Sequence, residues 1–123
     1  MQLHEKAMRA RGSGDIEGAI RAAEAELAVV ENQLANDPVH MGRVLPFLGE
    51  LYLEAKQFSK AEHVFARALV LRIEEVGSTS GDVAGLRSRI AQCKSGQGQH
   101  EAALSLFEQA VAVYESKGAD YDL

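Results

Sequence analysis

Three stretches of this 123-residue chain superimpose on one another without a gap. They are SGDIEGAIRAAEAELAVVE, AKQFSKAEHVFARALVLRIEE and GQGQHEAALSLFEQAVAVYE. Ala61 follows Ala19 by 42 residues and precedes Ala103 by the same number. A fixed period of this length marks a stack of equivalent supersecondary units, each too small to bury its own apolar face. Other columns keep the register. Ala7, Gly49 and Ala91 are small; Leu27, Leu69 and Val111 are aliphatic; Ala23, Phe65 and Phe107 are apolar. Lys6 stands where the later units have Leu48 and Ile90, and Glu26 where they have Ala68 and Ala110, so the first unit is the most degenerate.

Each unit reads as two helices. Leu45, Leu48, Leu51 and Tyr52 recur at spacings of three and four, as do Phe58, Ala61, Phe65, Ala68 and Leu69, with the polar turn Lys56–Gln57 between them. Ser59 with Glu62 is expected to form a capping box, and Asp15 to cap the corresponding helix of the first unit. Gly77, Gly118 and Asn36 fall where helices should end. Gly49 and Ala61 supply the close contact between antiparallel helices, with Phe65 and Tyr52 filling the space beside it. Pro46 lies inside an apolar face and predicts a bend there or a late start to the helix. The fold class is therefore all-α: antiparallel helix hairpins stacked as a short right-handed α-solenoid of about three units (1–36, 38–77 and 81–118) in one domain spanning 1–123.

The segment LGELYLEAKQFSKAEHVFARAL resembles a tetratricopeptide repeat, whose signature of small, aromatic, alanine, aromatic and alanine residues is matched by Gly49, Tyr52, Ala61, Phe65 and Ala68. Leu45 replaces the usual tryptophan and Ile73 the usual proline. The long period is similar to that of the kinesin light-chain variety. The resemblance implies a scaffold or adaptor whose first helices line a concave groove for a peptide or protein. The groove positions carried over are Met8 and Arg11 in the first unit, Arg43, Phe47, Glu50 and Glu54 in the second, and Ser88, Arg89 and Gln92 in the third. The alternative is a regulatory module of a larger enzyme, signalling protein or transcription regulator. Relatives that hold the acidic tails of heat-shock chaperones use a carboxylate clamp of basic and amide side chains. The matching positions here are His4, Met8, Phe47, Gly85 and Arg89, of which only Arg89 fits, so no such tail should bind.

No catalytic constellation emerges, and no enzyme activity, cofactor or metal is expected. His4, His40, His63 and His100 form no HxxxH pair; His40 near Asp37 is the nearest approach to a metal site. Cys93 has no cysteine partner and reads as a small buried filler. The glycines form no phosphate-binding GxxxxGK[ST] loop. A net charge of −5, with basic residues scattered among acids, argues against nucleic acid. No apolar run reaches membrane-spanning length, and the N-terminal MQLHEKAMRARGSGD has no signal core, so a cytoplasmic location is expected. On the last helix, Ala103, Phe107, Ala110 and Tyr114 should pack inward. Leu104, Leu106, Val111 and Val113 are then left to cover, which predicts a partner there: further repeats in the intact protein, or a second copy in a two-fold homodimer through the C-terminal hairpin.

Overall fold

The computed structural model describes residues 2–33 and 38–120, with the backbone alone at Gln33, Pro38 and 117–120. Asn36 and Asp37 lie outside the described residues. Six helices and no strand occur among those described: α1 Leu3–Gly12, α2 Ile16–Gln33, α3 Pro38–Glu54, α4 Phe58–Val76, α5 Gly81–Gly96 and α6 His100–Asp120. Each helix packs against its successor, α1 on α2 through to α5 on α6, which gives an all-α helical-repeat solenoid.

The turn inside each hairpin is built identically at the 42-residue register. The N–H of Asp15, Gln57 and Gln99 donates to the carbonyl of Ala10, Tyr52 and Lys94 respectively, each at 2.8 Å. Such a closure requires one residue in the left-handed region. Gly14 and Gly98 take it at φ +85° and +81°, and Lys56 takes it at φ +60° despite its side chain. Helix starts differ more. The N–H of Gly18 donates to Asp15 Oδ1 at 2.9 Å, as expected of a cap. The Ser59–Glu62 box does not form. α4 begins at Phe58 behind Gln57, whose side chain makes no capping bond, and Glu62 is drawn instead to Lys94 and Gln97 of the next hairpin. Gly77 caps α4 as expected, whereas α6 runs through Gly118 to Asp120. Pro46 neither delays nor ends α3, which begins at Pro38 and stays helical to Glu54.

The core follows the repeat columns. Ala7, Ala19, Ala61 and Ala91 are completely buried, and Phe65, Leu45, Leu48 and Leu51 are at most 1% exposed. Burying each of these larger side chains contributes roughly 1.5–3 kcal/mol. α3 packs closely on α4 at Gly49, where an added Cβ would lie 2.7 Å from the Phe65 ring. At α6 the expectation was partly met. Ala103 and Ala110 are buried, Leu106 packs against the core, and Phe107 and Val113 are half-buried. Leu104, Val111 and also Tyr114 are about half exposed, at 58%, 49% and 48%. Tyr114, expected to pack inward, is half exposed instead, and its hydroxyl lies 3.7 Å from where a Cβ on Gly85 would stand.

Candidate functional site: a cleft between the second and third hairpins

Along α3, Gly42, Pro46 and Glu50 recur every four residues and present one face. Along α5, Gly81, Gly85 and Arg89 do the same. These two faces form the walls of a cleft of about 500 Å³, and α4 supplies its floor through Phe65, Ala68 and Leu71, with Leu86 beside them. The cleft is open because its walls are small. A Cβ on Gly42 or Gly81 would meet nothing within 4 Å. Pro46 has a second effect: it lacks an N–H, so the carbonyl of Gly42 loses its ordinary helical donor on this wall.

The rim is charged and mostly self-paired. Arg89 Nε lies 2.5 Å from Glu50 Oε1, joining α5 to α3. Arg72 lies 2.7 Å from Glu75 and 3.8 Å from Asp82. With Glu74, the lining holds four carboxylates against two guanidinium groups, and both guanidiniums already have acidic neighbours. The cleft is thus apolar at its floor and acidic at its rim.

Of the nine groove residues expected from the sequence, Glu50 and Arg89 line this cleft. Met8 and Arg43 are exposed elsewhere on the first helices. Arg11 pairs with Glu54 between α1 and α3. Gln92 accepts from Arg89 at 3.4 Å, and Ser88 is half-buried on α5. Phe47 is half-buried against the core, and its ring lies 5.1 Å from that of His4. The floor and the glycine walls were not foreseen. The available signal was Gly81 and Gly85 one helical turn apart, with Gly42 at a comparable place on α3.

The corresponding space between α1 and α3 is furnished differently. At the equivalent columns, His4 stands for Pro46, Glu26 for Ala68, Arg43 for Gly85 and Phe47 for Arg89. Three small or compact residues have become large ones, and an arginine has become a ring tilted against that of His4. Glu26 Oε1 is buried without a hydrogen bond, 3.5 Å from His4 Nδ1, and Glu26 Oε2 is 4.0 Å from His40 Nε2.

Residues 40–116, well over half the chain, match the family described as Tetratricopeptide repeat. The chain belongs to the tetratricopeptide repeat family. No curated protein matches the sequence. Tetratricopeptide repeats are in general protein-interaction modules, and the match covers the two hairpins that enclose the cleft. A second cavity of about 350 Å³ lies between α2, α3 and α4, bordered by Leu27, Leu48, Tyr52, His63 and Arg67. There the Tyr52 hydroxyl donates to Glu24, and burial together with that carboxylate holds the phenol well above its ordinary range. Cys93 is fully buried on α5, and burial foremost, then the charge of Glu62, pushes its thiol up to about 11, so it stays protonated and unreactive near neutrality. Among the described residues, no group of three or more His, Cys, Asp or Glu is placed to hold a metal ion, and no helix is long and apolar enough to cross a membrane.

Proposed function

We propose that this tetratricopeptide domain is a scaffold or adaptor that receives a segment of a partner protein in the cleft between α3 and α5. The observation that carries this reading is the combination of an apolar floor, glycine walls and an acidic rim in one cavity of about 500 Å³. Such a volume suits a few side chains of an extended or helical peptide. The rim selects against acidic segments and favours apolar residues flanked by lysine or arginine. Arg89 and Glu50 act as a bridge that a basic ligand would share, and the first-helix residues Met8, Arg11, Arg43, Phe47, Glu54, Ser88 and Gln92 extend the groove beyond the cleft. A buried, protonated thiol suits the reducing cytoplasm expected from the sequence.

Selection from a random peptide display library on the immobilised chain tests the reading. Gly42→Leu places a helix-forming side chain on the cleft wall, at a position where an added Cβ meets nothing within 4 Å. Selected peptides should be apolar and basic, and should lose binding to Gly42→Leu. Peptides that bind wild type and Gly42→Leu equally would move the site elsewhere.

A further inference from the structure

Leu104, Glu108, Val111 and Glu115 form one exposed face of α6, begun by Glu101 a turn earlier. The repeat itself shows what covers this face in the other units. Counterparts of Leu104 are Ile20, which is buried, and Glu62, which accepts from Lys94 of α5 at 3.0 Å. Counterparts of Val111 are Leu27 and Leu69, both packed against the core. The counterpart of Glu108 in the first unit is Glu24, which accepts from Tyr52 of α3. Where a partner bond is seen, from Lys94 to Glu62 and from Tyr52 to Glu24, it comes from the first helix of the following hairpin; Ala66, the counterpart of Glu108 in the second unit, is exposed. On α6 the same positions are bare.

The mirror situation exists on α1. Leu48 and Ile90 are buried and hold the column in which α1 has the exposed Lys6. Leu51 and Cys93 are completely buried and hold the column in which α1 has the exposed Arg9. One end of the stack therefore offers leucine and valine among three glutamates, and the other offers two bases where its sister helices carry apolar side chains.

We propose that copies of this chain associate head to tail, α1 of one copy stacking on α6 of another as α3 stacks on α2. The register follows from the internal repeats. Leu48 lies with Glu24, Leu27, Ala28 and Glu31 around the second cavity. Carried to the end of the chain, Lys6 of a second copy falls among Glu108, Val111, Ala112 and Glu115, and Ala10 of that copy falls on Leu104. Lysine thus meets glutamates, and alanine meets leucine. A two-fold pairing of α6 with itself along this face would instead oppose Glu108 to Glu108 and Glu101 to Glu115, a like-charge arrangement that disfavours it. The head-to-tail contact is heterologous, so it extends rather than closes.

Sedimentation velocity on the 123-residue chain, from micromolar to millimolar concentration and at low and high salt, tests this. The expected result is a weight-average mass that keeps rising without a dimer plateau and falls with salt. Leu104→Glu and Lys6→Glu should each weaken association about tenfold. Mixing Lys6→Glu chains with Glu108→Lys/Glu115→Lys chains should restore a contact that neither makes alone. All these side chains are exposed, and circular dichroism verifies that each variant stays helical; the salt dependence of the unaltered chain provides a readout free of any substitution. A monomer at every concentration, or a closed dimer indifferent to Lys6→Glu, overturns the proposal.

Discussion

Replacing Gly49 by alanine probes a close contact between α3 and α4. The new Cβ would stand 2.7 Å from Cε1 and Cζ of Phe65 and 2.9 Å from its Cδ1. Comfortable carbon–carbon contact is about 3.5–4.0 Å, so ring or helix must yield by roughly 1 Å. Phe65 is 1% exposed and lies in the main core cluster, which leaves the ring nowhere to go without disturbing other side chains. Overpacking of this kind costs about 1–3 kcal/mol. Against it stands the gain of about 1 kcal/mol from replacing glycine by alanine inside a helix. The net expectation is a loss of about 1 kcal/mol.

Gly42, in the same helix, isolates the packing contribution. Its added Cβ meets nothing within 4 Å, so Gly42→Ala keeps only the helix-forming gain. The two alanine variants should therefore differ by about 2 kcal/mol, and their melting temperatures by about 8 °C for a domain of this length. Urea denaturation followed by circular dichroism, with a common slope, measures the difference. The cost of Gly49→Ala should also shrink in a Phe65→Leu background, since the two positions share one contact. Equal stability of Gly49→Ala and Gly42→Ala would refute the reasoning, because close approach to Phe65 could then not be what requires glycine.

Lys56 occupies the left-handed position that Gly14 and Gly98 hold in the sister turns, so Lys56→Gly should raise stability by about 0.5–1 kcal/mol in the same urea assay. Burial works to raise the Glu62 carboxyl, but the hydrogen bonds from Lys94 and Gln97 and the Lys94 charge outweigh it and hold the group below its ordinary 4.5. A depressed carboxyl stabilises the fold above its unfolded value and loses that contribution as pH falls, so Glu62→Gln should flatten the acid limb of the stability curve. Cys93 should resist alkylation at neutral pH and react once the chain is unfolded in urea, as read by mass spectrometry. A peptide ending in EEVD should show no micromolar binding by calorimetry, because Arg89 is held by Glu50 and the cleft rim is acidic.

Much of the fold was legible because the repeat imposes the same physical demand three times. The alanine column at 19, 61 and 103 follows from helices that must touch, and all three are buried; Gly49 was expected to meet Ala61 with Phe65 beside it, and it is the Phe65 ring that lies nearest to it. Local signals were less dependable. Ser59 and Glu62 have the spacing of a capping box, but the competing partners of Glu62 lie on a hairpin more than thirty residues away. No local pattern announces that competition. Pro46 likewise suggested a bend or a late start, yet α3 begins at Pro38 and stays helical through it.

The cleft was harder to read for a related reason. The columns that agree between units are those that hold helices together, and they lead to the fold. The cleft arises at columns that disagree: Pro46, Ala68, Gly85 and Arg89 in one gap, His4, Glu26, Arg43 and Phe47 in the other. Whether a gap between hairpins stays open depends on side-chain volume at several such columns at once, seen against a floor contributed by a third helix. Carrying groove positions over from the first helices alone finds Glu50 and Arg89, which are on the walls, and passes over Phe65, Ala68 and Leu71 beneath them. In a repeat protein of this kind, agreement between units reports on stacking, and departure from agreement reports on what the stack has room to hold.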